Sequence, residues 1–198
     1  MADREDERRM MPEVGTTAPT ARLPRRLGAV AAEPRLRRYG AERFEPAWLS
    51  LWALAIGRDT GETLAWLLAA DNLPRAMLMA GALTSHPAER DGALVLEGGG
   101  PPTLSQFERW WLWERLARPR RWALRVMPAT LRPVEFPLWL GYAPGRPGRH
   151  ARLIVLSGLS GEALGALKPA VLAGLRDRAR AEAANGRPST RDDERVPG

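Results

Sequence analysis

The sequence contains no cysteine, and this absence excludes several classes of function at once. A chain without thiols forms no disulfide, builds no thiolate zinc site or iron–sulfur cluster, and has no cysteine nucleophile. Histidine is almost as scarce, since only His86 and His150 are present and they lie in different turn-like segments. The one dense carboxylate cluster is Asp192-Asp193-Glu194, near the C-terminus. Because a metal ion needs several convergent ligands, we expect no metal site and no cofactor.

Lysine is nearly absent as well, because Lys168 is the only lysine among the 30 basic residues. The formal net charge is +7, but the two signs are unevenly placed along the chain. Residues 44–100 carry a net charge of −4, whereas residues 101–156 carry +7. This polarity is more informative than the high isoelectric point, which arginine-rich composition raises everywhere. A basic segment of this kind favours an acidic partner.

No apolar run is long enough to span a membrane as a helix. The longest runs cover residues 47–57 and 63–70, and charged residues separate them, whereas a spanning helix needs about 20 mostly apolar residues. The first nine residues alternate in charge, and no apolar segment follows them as a secretory signal would require. We therefore expect a cytoplasmic protein without integral membrane insertion. Peripheral contact with anionic lipid stays open, since basic and tryptophan-rich surfaces favour membrane interfaces.

Composition divides the chain into three parts. Residues 1–43 are rich in arginine, glutamate, proline and alanine without a periodic apolar face, which predicts a disordered basic N-terminal arm. Residues 183–198 have a similar polar composition and predict a second disordered tail. The residues between them, 44–182, contain enough apolar side chains for a single α+β domain.

Within this domain the pattern predicts helices first and strands later. The apolar runs that follow Pro46, Thr60 and Pro74 each predict a short helix, and together they predict an N-terminal apolar helical hairpin. Thr103 and Gln106 have the spacing of a capping box before a further apolar run, which predicts another helix. A small, mainly antiparallel sheet and a C-terminal helix complete the predicted α+β fold. Their predicted ranges are strands over 91–97, 122–127, 134–142 and 151–156, and a helix over 162–181 that Pro169 interrupts or kinks.

The segment Ser157-Gly158-Leu159-Ser160-Gly161 lies between a predicted strand and a predicted helix. This is the context of a hydrolase nucleophile elbow, but that motif reads Gly-x-Ser-x-Gly and places its histidine after the serine. A hydrolase acting through Ser160 is therefore a remote alternative. Ser157, Gly158, Ser160 and Gly161 also suit a helix cap, or a site for a small anion at a helix start. We assign no catalytic residue and expect the chain not to be an enzyme.

The basic block, residues 101–156, also holds 8 of the 13 aromatic residues. Arginines that neutralise phosphates and rings that stack on bases form nucleic-acid surfaces, and tryptophan and arginine are also enriched in protein-binding hot spots. If the helix end and the turn at 145–150 lie on one side, the arginines form a single cationic patch. Alternatively, the rings form the core and the arginines merely cover solvated faces. The candidate binding residues are Arg118, Arg120, Arg121, Arg146, Arg149, Arg152, Trp110, Trp113, Trp122 and Tyr142.

The stretch Arg37-Arg-Tyr-Gly-Ala-Glu-Arg-Phe-Glu-Pro-Ala-Trp-Leu49 resembles the start of small accessory subunits of bacterial secretion platforms. The resemblance covers residues 37–49 and implies an accessory subunit of a larger bacterial assembly. We therefore expect a non-enzymatic adaptor that engages an acidic protein through the basic block, while the oligomeric state stays open.

Nucleic-acid binding through the same block is the alternative, and the two functions differ in the surface that they require. A nucleic-acid protein should expose at least two aromatic side chains among arginines. A protein adaptor should instead expose an apolar patch. The aromatic residues that decide between them are Trp110, Trp113, Trp122, Trp139 and Tyr142.

Overall fold

The computed structural model describes residues 20–84, 92–118, 123–145 and 151–185. Its centre is a mixed seven-stranded sheet with helices packed on both faces, so the expected α+β class is confirmed. In chain order the elements are β1 (Ala21–Arg22), α1 (Ala29–Arg38), β2 (Arg43–Gly57), β3 (Thr63–Ala69), β4 (Met77–Ala80), β5 (Leu94–Glu97), α2 (Leu104–Ala117), β6 (Arg125–Ala143), β7 (Arg152–Ser157), the 3-10 helix η1 (Gly165–Leu167) and α3 (Lys168–Asn185).

The sheet is built around one long antiparallel pair, β2 with β6. The other edge of β2 pairs with β3 through residues 52–57 and with β5, in parallel, through residues 47–50. The other edge of β6 carries β1, in parallel, and β7, antiparallel. Strand β4 extends the sheet beyond β3. Four of these six pairings are antiparallel, as expected for the sheet.

The predicted N-terminal apolar helical hairpin is wrong, because its residues form β2, β3 and β4. Leucine and alanine favour helices in isolation, but tertiary context overrides this preference. A central strand with both faces buried has a continuous apolar run instead of the alternation that marks a half-exposed strand. Strand β2 is of this type, since Leu49 and Leu54 pack into cores on opposite faces and both are almost fully buried.

One face of the sheet packs against α3. Leu49 of β2 and Phe136 and Leu138 of β6 belong to the largest apolar core, which Val171 of α3 covers. Gly174 lets the helix approach closely, because a Cβ at this position would lie 2.8 Å from the carbonyl oxygen of Glu97.

The C-terminal helix was predicted at residues 162–181, but α3 begins at Lys168 and reaches Asn185. Pro169 therefore stands in the first turn, where proline is tolerated and does not kink the helix. The predicted tail, which began at 183, is helical through its first residues. Its remaining part, residues 186–198, lies outside the described residues.

The opposite face of the sheet is covered by α1 and α2. The capping box that begins α2 is confirmed: the backbone N–H of Thr103 donates to Oε1 of Gln106 at 2.8 Å, and its Oγ1 accepts from the Gln106 N–H at 3.3 Å. Phe107, Trp110 and Trp111 of α2 then pack with apolar side chains of β2 and β3. At the other end of this face, α1 packs against β6 and β7. In the described residues, no helix is both long enough and apolar enough to cross a membrane.

The N-terminal arm predicted over residues 1–43 is ordered in its second half. Residues 20–43 hold β1 and α1, and their apolar side chains Leu23, Leu27 and Leu36 are buried. Composition does not reveal this order, because the few leucines are separated by arginines, and one of these, Arg25, donates to backbone carbonyl oxygens of β2 and β6. Residues 1–19 lie outside the described residues.

Leu36→Ala tests whether α1 is part of the folded unit. Leu36 is fully buried against Trp139 and Ile154, so truncation should lower the free energy of unfolding by about 2–5 kcal/mol. Val30 on the same helix is 90% exposed, and Val30→Ala should change it by less than about 0.5 kcal/mol. Urea denaturation measures both. Equal, small effects of the two variants would contradict the packing of α1.

Candidate functional site

The outer side of α2 carries a group of exposed apolar side chains, Leu112, Trp113 and Leu116, which we call the α2 outer face. Their exposed fractions are 41%, 67% and 52%. Leu116 lies three and four residues after the other two, so all three are neighbours on the helix surface. The opposite side of α2 is buried in the sheet core, which fixes the direction in which the outer face points.

Charged side chains lie beside the α2 outer face and leave its apolar groups exposed. Arg109 lies three and four residues before Leu112 and Trp113, so it shares their side of the helix. Arg118 follows the last turn and is exposed. The segment 101–125 contains six arginines and two glutamates, a net charge of +4. Arg109 and Arg118 therefore place two cations near the exposed ring of Trp113 and the leucine methyl groups, while Glu108, four residues before Leu112, contributes one carboxylate.

The predicted aromatic residues separate into core and surface. Trp110 and Trp139 are buried, and their indole N–H groups donate to the carbonyl oxygens of Pro74 at 3.1 Å and Leu27 at 2.8 Å. Tyr142 is half-buried and Trp113 is exposed, while Trp122 lies outside the described residues. The alternative interpretation, that the aromatic side chains form part of the core, therefore holds for Trp110 and Trp139. In the described residues, Trp113 is the one exposed ring among the five that were to decide the function.

The two predicted arginines that the structure describes, Arg118 and Arg152, do not share a patch. The indole of Trp111 donates to the carbonyl oxygen of Leu124, which places the middle of α2 beside the start of β6. Arg152 pairs with Ala143 at the end of β6. The 15 residues of β2 that run alongside β6 span about 45 Å, so the two arginines lie far apart. The other four candidate arginines lie outside the described residues: Arg120, Arg121, Arg146 and Arg149.

Residues 157–161, which were predicted as a possible anion site, form a closed turn before the helix begins. Oγ of Ser157 accepts hydrogen bonds from the backbone N–H groups of Leu159 and Ser160, both at 3.1 Å. The N–H groups of Gly158 and Gly161 donate to the carbonyl oxygens of Pro137 and Ser157. With these N–H groups already paired, the turn has none of them left for an anion.

The same turn holds the N-terminal segment in place. The carbonyl oxygen of Gly158 accepts the N–H groups of Arg26 at 2.9 Å and Leu27 at 2.8 Å. The guanidinium of Arg35 donates to the carbonyl oxygen of Ser160 at 3.0 Å. The hydroxyl of Ser160 lies 3.4 Å from a carboxylate oxygen of Glu162, and His150, the base that a hydrolase would require, lies outside the described residues.

The closest association of arginine with tryptophan lies elsewhere, on the face between α1 and α2. The guanidinium carbon of Arg25 is 4.7 Å from the ring centroid of Trp48 and 5.1 Å from that of Trp139. The guanidinium carbon of Arg22 also lies 4.7 Å from the ring centroid of Trp48, and Arg22 forms an ion pair with Glu135. We call these four cation and ring residues the arginine–tryptophan stack.

Sequence reasoning missed this stack because its members are distant along the chain. Arg25 belongs to the arm that was predicted to be disordered, and Trp48 belongs to a predicted helix. Strand pairing brings them together: Trp48 lies opposite Pro137 and the ring of Trp139 lies opposite Pro46 on β2. No local spacing in the sequence could have revealed the contact. The rings are buried, so the stack fastens the N-terminal segment to the sheet.

Tyr142 has a perturbed acidity. Burial raises the pKa of its phenol above the ordinary value of 10.0, the hydrogen bond to Glu45 at 2.6 Å acts in the same direction, and the nearby Arg43 opposes both. The phenol is therefore held as a neutral donor to the carboxylate.

Comparison with known proteins gives no match to a family model, a curated protein or a solved structure. Within the described residues, no three histidine, aspartate or glutamate side chains group closely enough to hold a metal ion. The surfaces of the molecule are therefore the basis on which a function can be proposed.

Arg25→Ala tests the arginine–tryptophan stack. Besides its ring contacts, this guanidinium donates to the carbonyl oxygens of Leu138 at 2.6 Å and Ala47 at 3.2 Å. Its loss should lower the free energy of unfolding by about 2–4 kcal/mol. Arg26 is exposed, and Arg26→Ala is the matched control, with an expected change below about 0.5 kcal/mol. Indistinguishable denaturation curves for the two variants would contradict the role of the stack.

The pKa of Tyr142 predicts a loss of stability at alkaline pH. In the unfolded chain the phenol titrates near pH 10, whereas in the folded chain its pKa is higher. Above about pH 10 the unfolded state therefore releases a proton that the folded state retains, and the free energy of unfolding falls by up to about 1.4 kcal/mol per pH unit.

Tyr142→Phe removes this titrating group, so the variant should lose less stability than the wild type between about pH 9 and pH 11. Tyr39→Phe is the control, because Tyr39 is 47% exposed, and it should follow the wild-type curve. Denaturation at several pH values measures the difference. If the free energy of unfolding of Tyr142→Phe fell with pH as steeply as that of the wild type, other groups would be the cause of the alkaline loss of stability.

Proposed function

We propose that the chain is a non-enzymatic adaptor that binds an acidic protein partner through the α2 outer face. The observation that carries this proposal is the 67% exposure of Trp113 between two exposed leucines on a helix whose opposite side is anchored in the core. Large exposed apolar groups that lie together mark protein interaction sites more often than isolated ones do. Tryptophan is also the residue type most enriched in binding hot spots.

The anchoring of α2 favours binding through a preorganised surface. Phe107 is almost fully buried and stacks edge-to-face on Trp110, with ring centroids 5.6 Å apart. The capping box fixes the first turn of the same helix. Because the helix is held in place before any partner arrives, little conformational entropy is lost when Trp113 enters a pocket on that partner.

The charge around the α2 outer face supports an acidic partner. The net charge of +4 over residues 101–125 attracts carboxylates and raises the rate of association at low salt. Arg109 shares the side of the helix that carries Trp113, so it suits a carboxylate at the rim of the same contact. We therefore propose a partner segment that combines large apolar side chains with aspartate or glutamate.

A protein partner is favoured over a nucleic acid by the burial of the rings. Stacking surfaces for single strands use several exposed aromatic side chains, whereas Trp110 and Trp139 are taken up by the core. We further propose an accessory role in a larger bacterial assembly in the cytoplasm, on the basis of the resemblance of residues 37–49. These residues lie at the end of α1 and the start of β2.

The proposal is tested by selecting displayed random peptides on the immobilised full chain. We expect enriched sequences with aromatic or leucine side chains beside aspartate or glutamate. A synthetic peptide of the enriched sequence should bind Trp113→Ala about thirtyfold more weakly than the wild type, the effect of losing about 2 kcal/mol at a hot spot. Fluorescence anisotropy of the labelled peptide gives both dissociation constants.

Leu172→Ala is the matched control, since Leu172 of α3 is exposed but lies on the other face of the sheet. It should leave the affinity unchanged. Equal binding by Trp113→Ala, or no acidic enrichment, would overturn the proposal. Labelled single-stranded and duplex oligonucleotides at two salt concentrations form a second arm. Tight binding that collapses with salt and is lost when Arg118, Arg120 and Arg121 are neutralised would identify a nucleic-acid protein instead.

A further inference from the structure

A cavity of about 170 Å³ opens at the outer edge of β7, which we call the β7 cavity. It lies between the C-terminal end of α1 on one face of the sheet and the start of α3 on the other. Tyr39, Arg152 and Lys168 contribute its polar walls, while Ile154, Val155 and Ala163 contribute apolar surface. None of these residues belongs to the α2 outer face.

The charge of the β7 cavity is of one sign. Arg152 and Lys168 are the charged side chains among the described residues that line it, and no carboxylate of the described residues lines it. One guanidinium nitrogen of Arg152 donates to the carbonyl oxygen of Tyr39 at 2.8 Å, which orients the group and leaves its other N–H donors for a ligand. Two cations above an apolar floor favour a carboxylate carried on a short apolar stem.

The outer edge of β7 is open at Leu153 but not farther along the strand, because residues 162–164 lie against residues 155–157, with a β-bridge between Leu156 and Ala163. The carbonyl oxygen of Val155 accepts from Leu164, and the N–H of Ser157 donates to Glu162, both at 2.8 Å. Alternate residues of an antiparallel strand direct their backbone groups to the same side, so Leu153 directs its N–H and C=O outward as well. In the part of the chain that the structure describes, no backbone hydrogen bond extends the sheet beyond β7 at Leu153.

The size of the cavity decides between a small molecule and a side chain. Sites for small molecules and cofactors enclose about 300–1,000 Å³. The β7 cavity holds about 170 Å³, which is below this range. This volume accommodates the carboxylate and methylenes of one acidic side chain but is too small for a nucleotide.

We infer that the outer edge of β7 binds an extended acidic segment of a protein partner by strand addition. The segment pairs its backbone with the N–H and C=O of Leu153, and it places one carboxylate side chain between Arg152 and Lys168. Main-chain hydrogen bonds supply affinity in such additions, and the pocket for a side chain supplies specificity. The inference goes beyond the proposed function, because it adds a second contact surface at the other end of β6.

The test uses a labelled peptide of alternating valine and glutamate, which offers a carboxylate in either pairing register. Fluorescence anisotropy should show binding to the full chain at low salt. The matched peptide of alternating valine and glutamine should bind at least about tenfold more weakly, because it lacks the charge for the two cations. A glutamate peptide with a central proline should lose binding to a similar extent, since proline removes a backbone donor.

Lys168→Ala should weaken binding of the glutamate peptide about tenfold. Lys168→Arg, which keeps the charge, should restore most of it. Arg176→Ala is the matched control, since Arg176 is an exposed cation of α3 that does not line the cavity, and it should leave binding unchanged. Trp113→Ala should also leave it unchanged, which separates this surface from the α2 outer face.

Several outcomes would overturn the inference. These are the absence of binding by the glutamate peptide, equal binding by the glutamine peptide, and insensitivity to Lys168→Ala. Undiminished binding of the proline-containing peptide would exclude strand addition. Inorganic phosphate protecting the site while the glutamate peptide does not bind would indicate a simple anion site, which also contradicts a protein segment as the occupant.

Discussion

The antiparallel pairing of β2 with β6 is the constraint on which the rest of the molecule depends. The pair extends over all 15 residues of β2, and apolar side chains cover both of its faces. A sheet that is apolar on both sides must be covered on both sides, because exposed apolar surface costs free energy in water. Helix α3 covers one face, and α1 and α2 share the other. The outward sides of these helices are therefore the surfaces that remain for partners.

The pairing also depends on a local irregularity in β6. Leu54 of β2 stands opposite four residues of β6, because the register passes from Ala53 with Arg132 to Ala55 with Met127. Within this bulge the hydroxyl of Thr130 accepts the backbone N–H of Ala55 at 2.9 Å and donates to the carbonyl oxygen of Met127 at 2.6 Å. A side chain thus replaces the backbone partner that the bulge removes, and the N–H is not left unpaired in the sheet.

Elements with local signals were predictable from the sequence, whereas elements defined by burial on two faces were not. The capping box located α2, and the strand patterns located β5, β7 and the second half of β6. Strand β2 has the same apolar run that a buried helix has, so only its neighbours decide its conformation. The candidate surface shows the same limit. Trp110, Trp111 and Trp113 are chemically alike, and the direction in which α2 faces the sheet determines which of them reaches solvent.

The N-terminal segment is fastened to parts of the chain that are made much later. Arg25 bonds to a residue 113 positions ahead, the indole of Trp139 reaches back 112 positions to Leu27, and Arg35 bonds to a residue 125 positions ahead. During synthesis these early residues leave the ribosome long before their partners exist. Loop closure over such separations is slow, so this early segment is among the last to be fixed. Until Leu138 and Trp139 have emerged, Arg25 lacks both a backbone acceptor and the second of the two rings that it joins.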